Sequence, residues 1–99
     1  MAYKIVVEPD VQNDIDNAIE YYKRVTEDNK VLINLLHEIE QAYAALRINP
    51  FYEVRFKHYR ALPLKKYPYL MFFEIDEKQN IVKITALFNT AQNTNKYPS

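Results

Sequence analysis

The sequence predicts a single α+β domain in which a two-helix antiparallel hairpin packs on a mainly antiparallel sheet of about four strands. Three observations predict it. Apolar residues recur at spacings of three and four through two long segments, from Val11 to Val25 and from Leu32 to Leu46. After Pro50 the period changes to that of extended chain. The last two apolar runs are separated by the polar, turn-rich stretch Asp76–Asn80, so they predict a hairpin. A length of 99 residues fits one domain spanning 1–99, and 48% hydrophobic residues argue against disorder.

Tyr3–Val7 (YKIVV) reads as a short strand ended by Glu8-Pro9. Pro9 suits the first turn of a helix, and Asp10 and Asp14 favour the positive end of its dipole. Val11, Ile15, Ala18, Ile19, Tyr22 and Val25 then form one apolar stripe, which sets helix one at about Pro9 to Val25, with Asp14, Asp16, Glu20, Lys23 and Arg24 on the other face. Thr26-Glu27-Asp28-Asn29 supplies capping side chains for helix two. Its stripe is Leu32, Leu35, Leu36, Ile39, Ala42, Tyr43 and Leu46, and Asn49-Pro50 ends it. From Arg55 to Leu64 the chain reads as one extended segment, with Phe56, His58, Arg60, Leu62 and Leu64 on one side and Arg55, Lys57, Tyr59 and Ala61 on the other. A Lys65-Lys66-Tyr67-Pro68 corner leads into Tyr69–Ile75, and Ile81–Phe88 is the final strand. The near-continuous apolarity of these last two predicts central positions in the sheet. The N-terminal strand must return to that sheet to satisfy its backbone.

Composition removes several functional classes. Without glycine there is no Gly-rich phosphate loop, so neither a Rossmann nor a P-loop site is present. Without cysteine there is no disulfide, thiolate nucleophile or zinc–thiolate site. No run reaches the roughly 20 apolar residues of a membrane span. The apolar run Ile5–Val7 is too short for a signal-peptide core, and the expected location is the cytoplasm. No metal-ligand spacing is seen, and no cofactor is expected.

The net charge of zero hides an asymmetry: residues 1–50 hold five Lys/Arg against nine Asp/Glu, and residues 51–99 hold eight against four. Arg55, Lys57, Arg60, Lys65 and Lys66 occur with no acid between them, interleaved with His58, Tyr67 and Tyr69. Cations for phosphate and rings for base stacking are what single-stranded RNA recognition uses. Two readings of the segment stand: an anionic partner, or pairing with the chain's own acidic helices. His58 could act as a general acid or base. Asn89, Thr90 and Gln92, with the amides that follow, could read a base edge or terminate a strand.

The element order, the Glu8-Pro9 start of helix one, the run FKHYRALPLKKYPYLMFFEI and the later LFNTAQN together resemble the RelE/ParE superfamily of bacterial toxins. Arg60 in the middle strand and the Tyr67-Pro68-Tyr69 corner match that pattern, and the match covers nearly the whole chain. The resemblance implies a growth-inhibiting, plasmid-stabilising toxin of a type II toxin–antitoxin system, neutralised by a cognate antitoxin, as a homodimer or a heterotetramer with it. RelE-like members cut ribosome-bound mRNA without a metal, and ParE-like members poison DNA gyrase. In an RNA cutter the resemblance would give Arg60, Lys65 and Lys66 the electrostatic role at the scissile phosphate. Arg55, Lys57, His58, Tyr67, Tyr69, Asn89, Gln92 and Tyr97 would then contact the target or nucleic acid. The chain departs from the RNA-cutting pattern by carrying Pro68-Tyr69 and Asn89-Thr90 where those members carry cations. The expectation is therefore a ParE-like gyrase poison or a catalytically reduced member. An RNA-cutting enzyme and a non-toxic interaction module on the same fold are the alternatives.

Overall fold

A computed structural model describes residues 2–90. The elements run β1 (Lys4–Val7), α1 (Pro9–Val25), α2 (Asn29–Ile48), β2 (Val54–Phe56), β3 (Tyr59–Pro63), β4 (Tyr69–Asp76) and β5 (Ile81–Asn89). The strands form one five-stranded sheet in the order β1-β5-β4-β3-β2. Helix α1 has the bounds expected from its stripe, and α2 extends beyond its Leu32–Leu46 stripe to the residues expected to cap and end it. Pro9 opens α1, and the Asp28 carboxylate accepts the Lys30 N–H at 2.9 Å to cap α2. The Asn49 side chain accepts the Phe51 N–H at 3.2 Å, where the chain leaves α2 for the sheet.

The sheet has one strand more than the sequence predicts. The expected continuous strand from Arg55 to Leu64 is a hairpin, with β2 turning into β3 through Lys57 and His58. Lys57 takes φ 53° there. That is the left-handed region usually given to glycine, and a chain without glycine makes the turn with lysine. An extended-chain template has no term for such a reversal. The hairpin strands β4 and β5 pair antiparallel in the middle of the sheet, as their apolarity predicts, and β1 returns to β5 in parallel.

The two faces of the sheet bury different groups. Met71, Phe73, Val82, Ile84 and Leu87 point toward Val11, Ala18, Leu35, Ala42 and Leu46 of the helices, and most of these are almost fully buried. On the face away from the helices Tyr59, Ala61, Leu70, Phe72 and Phe88 form a second cluster. Phe72 faces Ala86 while Phe73 faces Ile84, so Thr85 is an extra residue that bulges β5.

β1 pairs with β5 only as far as Val7 opposite Ile84, which leaves the Leu87 N–H beyond reach of a strand partner. Asp14 of α1 accepts it at 3.0 Å. Asp14 is thus turned toward the sheet, whereas the sequence placed it on the outer face. It lies three residues after Val11 and four before Ala18, on the same side of the helix. Burial raises its pKa above the ordinary 3.8, the Leu87 N–H offsets part of this, and Asp10 adds to the rise. A carboxyl that holds its proton more tightly in the folded chain than in the unfolded one loses stability as pH climbs through that interval. Asp14→Asn keeps an acceptor for Leu87 without the desolvated charge. It is expected to raise the urea midpoint at neutral pH, with the gain vanishing below the ordinary carboxylate range. A lower midpoint at neutral pH would show instead that the charge stabilises the fold.

Candidate functional site

The connection from β3 to β4, Leu64–Pro68, is held from four sides by bonds that leave its two lysine side chains exposed. Glu38 of α2 is 9% exposed, and one of its carboxylate oxygens accepts the backbone N–H of both Lys65 (2.9 Å) and Lys66 (3.1 Å). The Tyr67 hydroxyl donates to the Val31 carbonyl at 2.7 Å, and its ring meets Tyr22 edge to face at 5.4 Å. Burial, then the nearby Glu38 carboxylate, pushes the Tyr67 hydroxyl pKa up. Leu64 donates its N–H to the Tyr69 carbonyl, and Thr90 binds the Pro68 carbonyl through both its N–H and its hydroxyl. The result is a rigid platform carrying adjacent ammonium groups.

Below this corner Tyr69 and Asn89 stand opposite each other across β4 and β5, with their side chains hydrogen-bonded. Together with Asp14, Asn17, Tyr21 and Arg24 they line a cleft of about 320 Å³. Burial and the neighbouring Tyr22 and Tyr21 raise the Tyr69 pKa, and the Asn89 bond lowers it in part. A second cleft, about 400 Å³, lies between α2 and β3 and is lined by Glu38, Gln41, Ala45, Tyr52, Leu62 and Lys65.

The remaining predicted residues among those described lie toward the other end of β3, on both faces of the sheet. Arg60 points to the helix side of the sheet, donates to the Tyr52 carbonyl at 2.7 Å and lies over the Phe51 ring at 5.5 Å. Arg55 is exposed on the short edge strand β2, and the Lys57 ammonium lies 5.3 Å from the Phe56 ring centre. His58 bonds Glu74 and stacks on Tyr59 at 4.3 Å, so its ring is already engaged. At about 3.3 Å per residue of strand, Arg60 and Lys65 are ~16 Å apart along the chain. The structure joins Lys65, Lys66, Tyr67, Tyr69 and Asn89 at the β3–β4 corner, whereas Arg60 lies on the helix side of β3 and His58, stacked on Tyr59, on the opposite face. Gln92 and Tyr97 lie outside the described residues. No group of metal-ligating side chains occurs among the described residues.

One of the two readings of the basic segment is favoured. Among the described residues the ion pairs are His58–Glu74 and Lys83–Glu8, and neither joins one of the segment's five Lys/Arg to a helix carboxylate. Among the described residues this charge is not consumed by helix carboxylates. Glu38, which fixes the corner, has a sequence signal of its own: it sits three residues after Leu35 and four before Ala42, inside the buried stripe of α2.

Comparison with known proteins agrees with this architecture. A solved structure described as the chromosomal ParDE TA system from P. aeruginosa has a TM-score of 0.72 to this chain at 14% identity, covering 89% of this chain and 96% of its own. No curated protein matches the sequence. A family model described as the ParE toxin of the type II toxin-antitoxin system parDE matches residues 5–94. This chain therefore belongs to the ParE toxin family of type II toxin–antitoxin systems.

Proposed function

We propose that this toxin acts by poisoning DNA gyrase, and that its cognate antitoxin neutralises it by covering the basic corner. The observation that carries the reading is the separation of Arg60 from Lys65 and Lys66 by the length of β3, with the Arg60 guanidinium bound to the Tyr52 carbonyl. Cleaving a phosphodiester through its own 2′-hydroxyl requires cations and a proton acceptor converging on one phosphate. Here the described cations are spread along β2, β3 and the β3–β4 corner and over both faces of the sheet, an arrangement suited to docking on an anionic surface. No described helix is long and apolar enough to cross a membrane, and action on gyrase would place the toxin in the cytoplasm.

The test is a supercoiling assay with the purified chain. Saturating toxin is expected to block supercoiling, and Lys65→Glu with Lys66→Glu is expected to weaken the block by about tenfold or more while the fold is kept. Added antitoxin should restore the reaction. Normal supercoiling at saturating toxin overturns the proposal, and cut transcripts during growth arrest would assign the chain to the RNA-cutting class.

A further inference from the structure

We propose that β1 is a contact surface between two copies of this chain, paired antiparallel about a two-fold axis at Val6. This edge of the sheet lies away from the basic corner, and its pairing does not depend on the gyrase reading.

Among the described residues β1 is an outer strand, with β5 as its one sheet neighbour. Lys4 and Glu8 donate their N–H groups inward, to the Asn80 and Ile84 carbonyls. By alternation Val6 also faces inward, and the N–H and C=O of Ile5 and Val7 face outward. The free edge is bounded at both ends. The Tyr3 N–H is taken by the Arg47 carbonyl at 2.8 Å, and Pro9 has no N–H to offer.

Antiparallel pairing with Val6 opposite the second copy's Val6 places Ile5 opposite Val7 and Lys4 opposite Glu8, twice over. Opposed residues that exchange both backbone bonds form every second pair of an antiparallel ladder. In this register those pairs are Ile5 with Val7, the residues whose polar groups face outward. A shift by two residues in one direction opposes Ile5 to Ile5 and leaves Val7 without a strand residue to bind. In the other direction it opposes Ile5 to Pro9, which lacks a donor. One register alone satisfies the edge.

The side chains select the same register. Lys4, Val6 and Glu8 share the face away from the helices, where opposite charges directly across strands are favourable and like charges are not. Glu8 already binds Lys83 at 3.1 Å, so each Glu8 would lie between its own Lys83 and the second copy's Lys4. Val6 and Val7, 36% and 40% exposed, would be covered. Val7 also walls an apolar cleft of about 410 Å³ with Ile15, Leu36, Ile39 and Tyr43, and the second copy's Ile5 would sit beside it. The opposite edge is built differently: β2 is three residues long, irregular in pairing, and carries Arg55 at its centre. Short, irregular, charged edges resist pairing. β1 has no bulge or internal proline, and its one charge, Lys4, has a partner in the register described.

Sedimentation equilibrium of the purified full chain tests this. The wild type is expected at twice the 11.8 kDa mass of one chain. Lys4→Glu, which sets a carboxylate against the Glu8 carboxylate at both ends of the ladder, is expected to raise the dimer dissociation constant about tenfold or more. Val6→Lys, which sets two ammonium groups across the axis, should give a monomer. The swap Lys4→Glu with Glu8→Lys should restore the dimer, an outcome that loss of folding could not produce. Circular dichroism confirms that each variant is folded. A wild-type monomer at every concentration, including one that dimerises only after antitoxin is added, overturns the proposal. So does a Lys4→Glu variant that dimerises as tightly as the wild type, or a folded charge swap that stays monomeric.

Discussion

Replacing Phe73 by alanine is expected to lower the unfolding free energy by about 3–5 kcal/mol. Phe73 is fully buried on the central strand β4, faces the helices and meets Tyr52 edge to face at 6.5 Å. The bulge at Thr85 lies beside it, so the β5 backbone there is held by a less regular ladder than elsewhere. Truncation removes the ring that Tyr52 packs against and leaves a cavity that close-packed neighbours can fill only in part. A domain of this size has roughly 5–15 kcal/mol in total, so a large share of its stability goes with one ring. Chemical denaturation measures it: the midpoint should drop sharply with little change in slope. A loss below about 1 kcal/mol would mean that the site collapses around the smaller residue.

Glu38→Ala is expected to combine a stability loss of about 2–3 kcal/mol with release of the Lys65–Lys66 corner. Two backbone N–H groups lose one shared carboxylate acceptor, and their position between α2 and the loop limits replacement by water. Glu38→Gln retains an oxygen acceptor, gives up only the charge assistance, and should cost about 1 kcal/mol. The pair of variants separates placement from charge. If the corner is the docking platform, the alanine variant loses potency in the supercoiling assay under conditions where it is still folded, and the glutamine variant keeps most of it. Equal potency for all three proteins would remove Glu38 from the functional account and leave it a purely structural residue.

The sequence was most legible where one periodicity held over many residues. Both helices came out with the bounds their stripes and caps implied, and the apolar runs at β4 and β5 marked the middle of the sheet. It was least legible where a single residue changes the direction of the chain. Lys57 reverses it at positive φ, and no glycine is present to announce the turn. Arg60 stands out in the sequence as part of the family pattern, but its direction depends on which way β3 leaves that turn. Its guanidinium ends on the Tyr52 carbonyl, a partner that only the tertiary fold supplies. Asp14 and Glu38 share another cause. Both are charged residues within an apolar stripe, and hydrophobic patterning assigns such residues to solvent, whereas each here satisfies an orphaned backbone N–H. The candidate site was readable as a set of residue types but not in its division between the β3–β4 corner and the two faces of the β2–β3 hairpin.

The return of β1 to β5 also orders the events of folding. Residues 4–7 pair with residues 81–84, so a strand made before the helices must wait for one made well after them before its backbone is satisfied. Contacts between such distant segments form slowly, because the chain between them has to be ordered first. The helical hairpin and the β4–β5 hairpin are local and can form early, and a species containing both would expose Val82 and Ile84 on an uncovered sheet edge. While β1 waits, any extended segment of another chain could take its place there. A newly made toxin would therefore pass through a stage in which it recognises strands indiscriminately, and closure of β1 over β5 ends it.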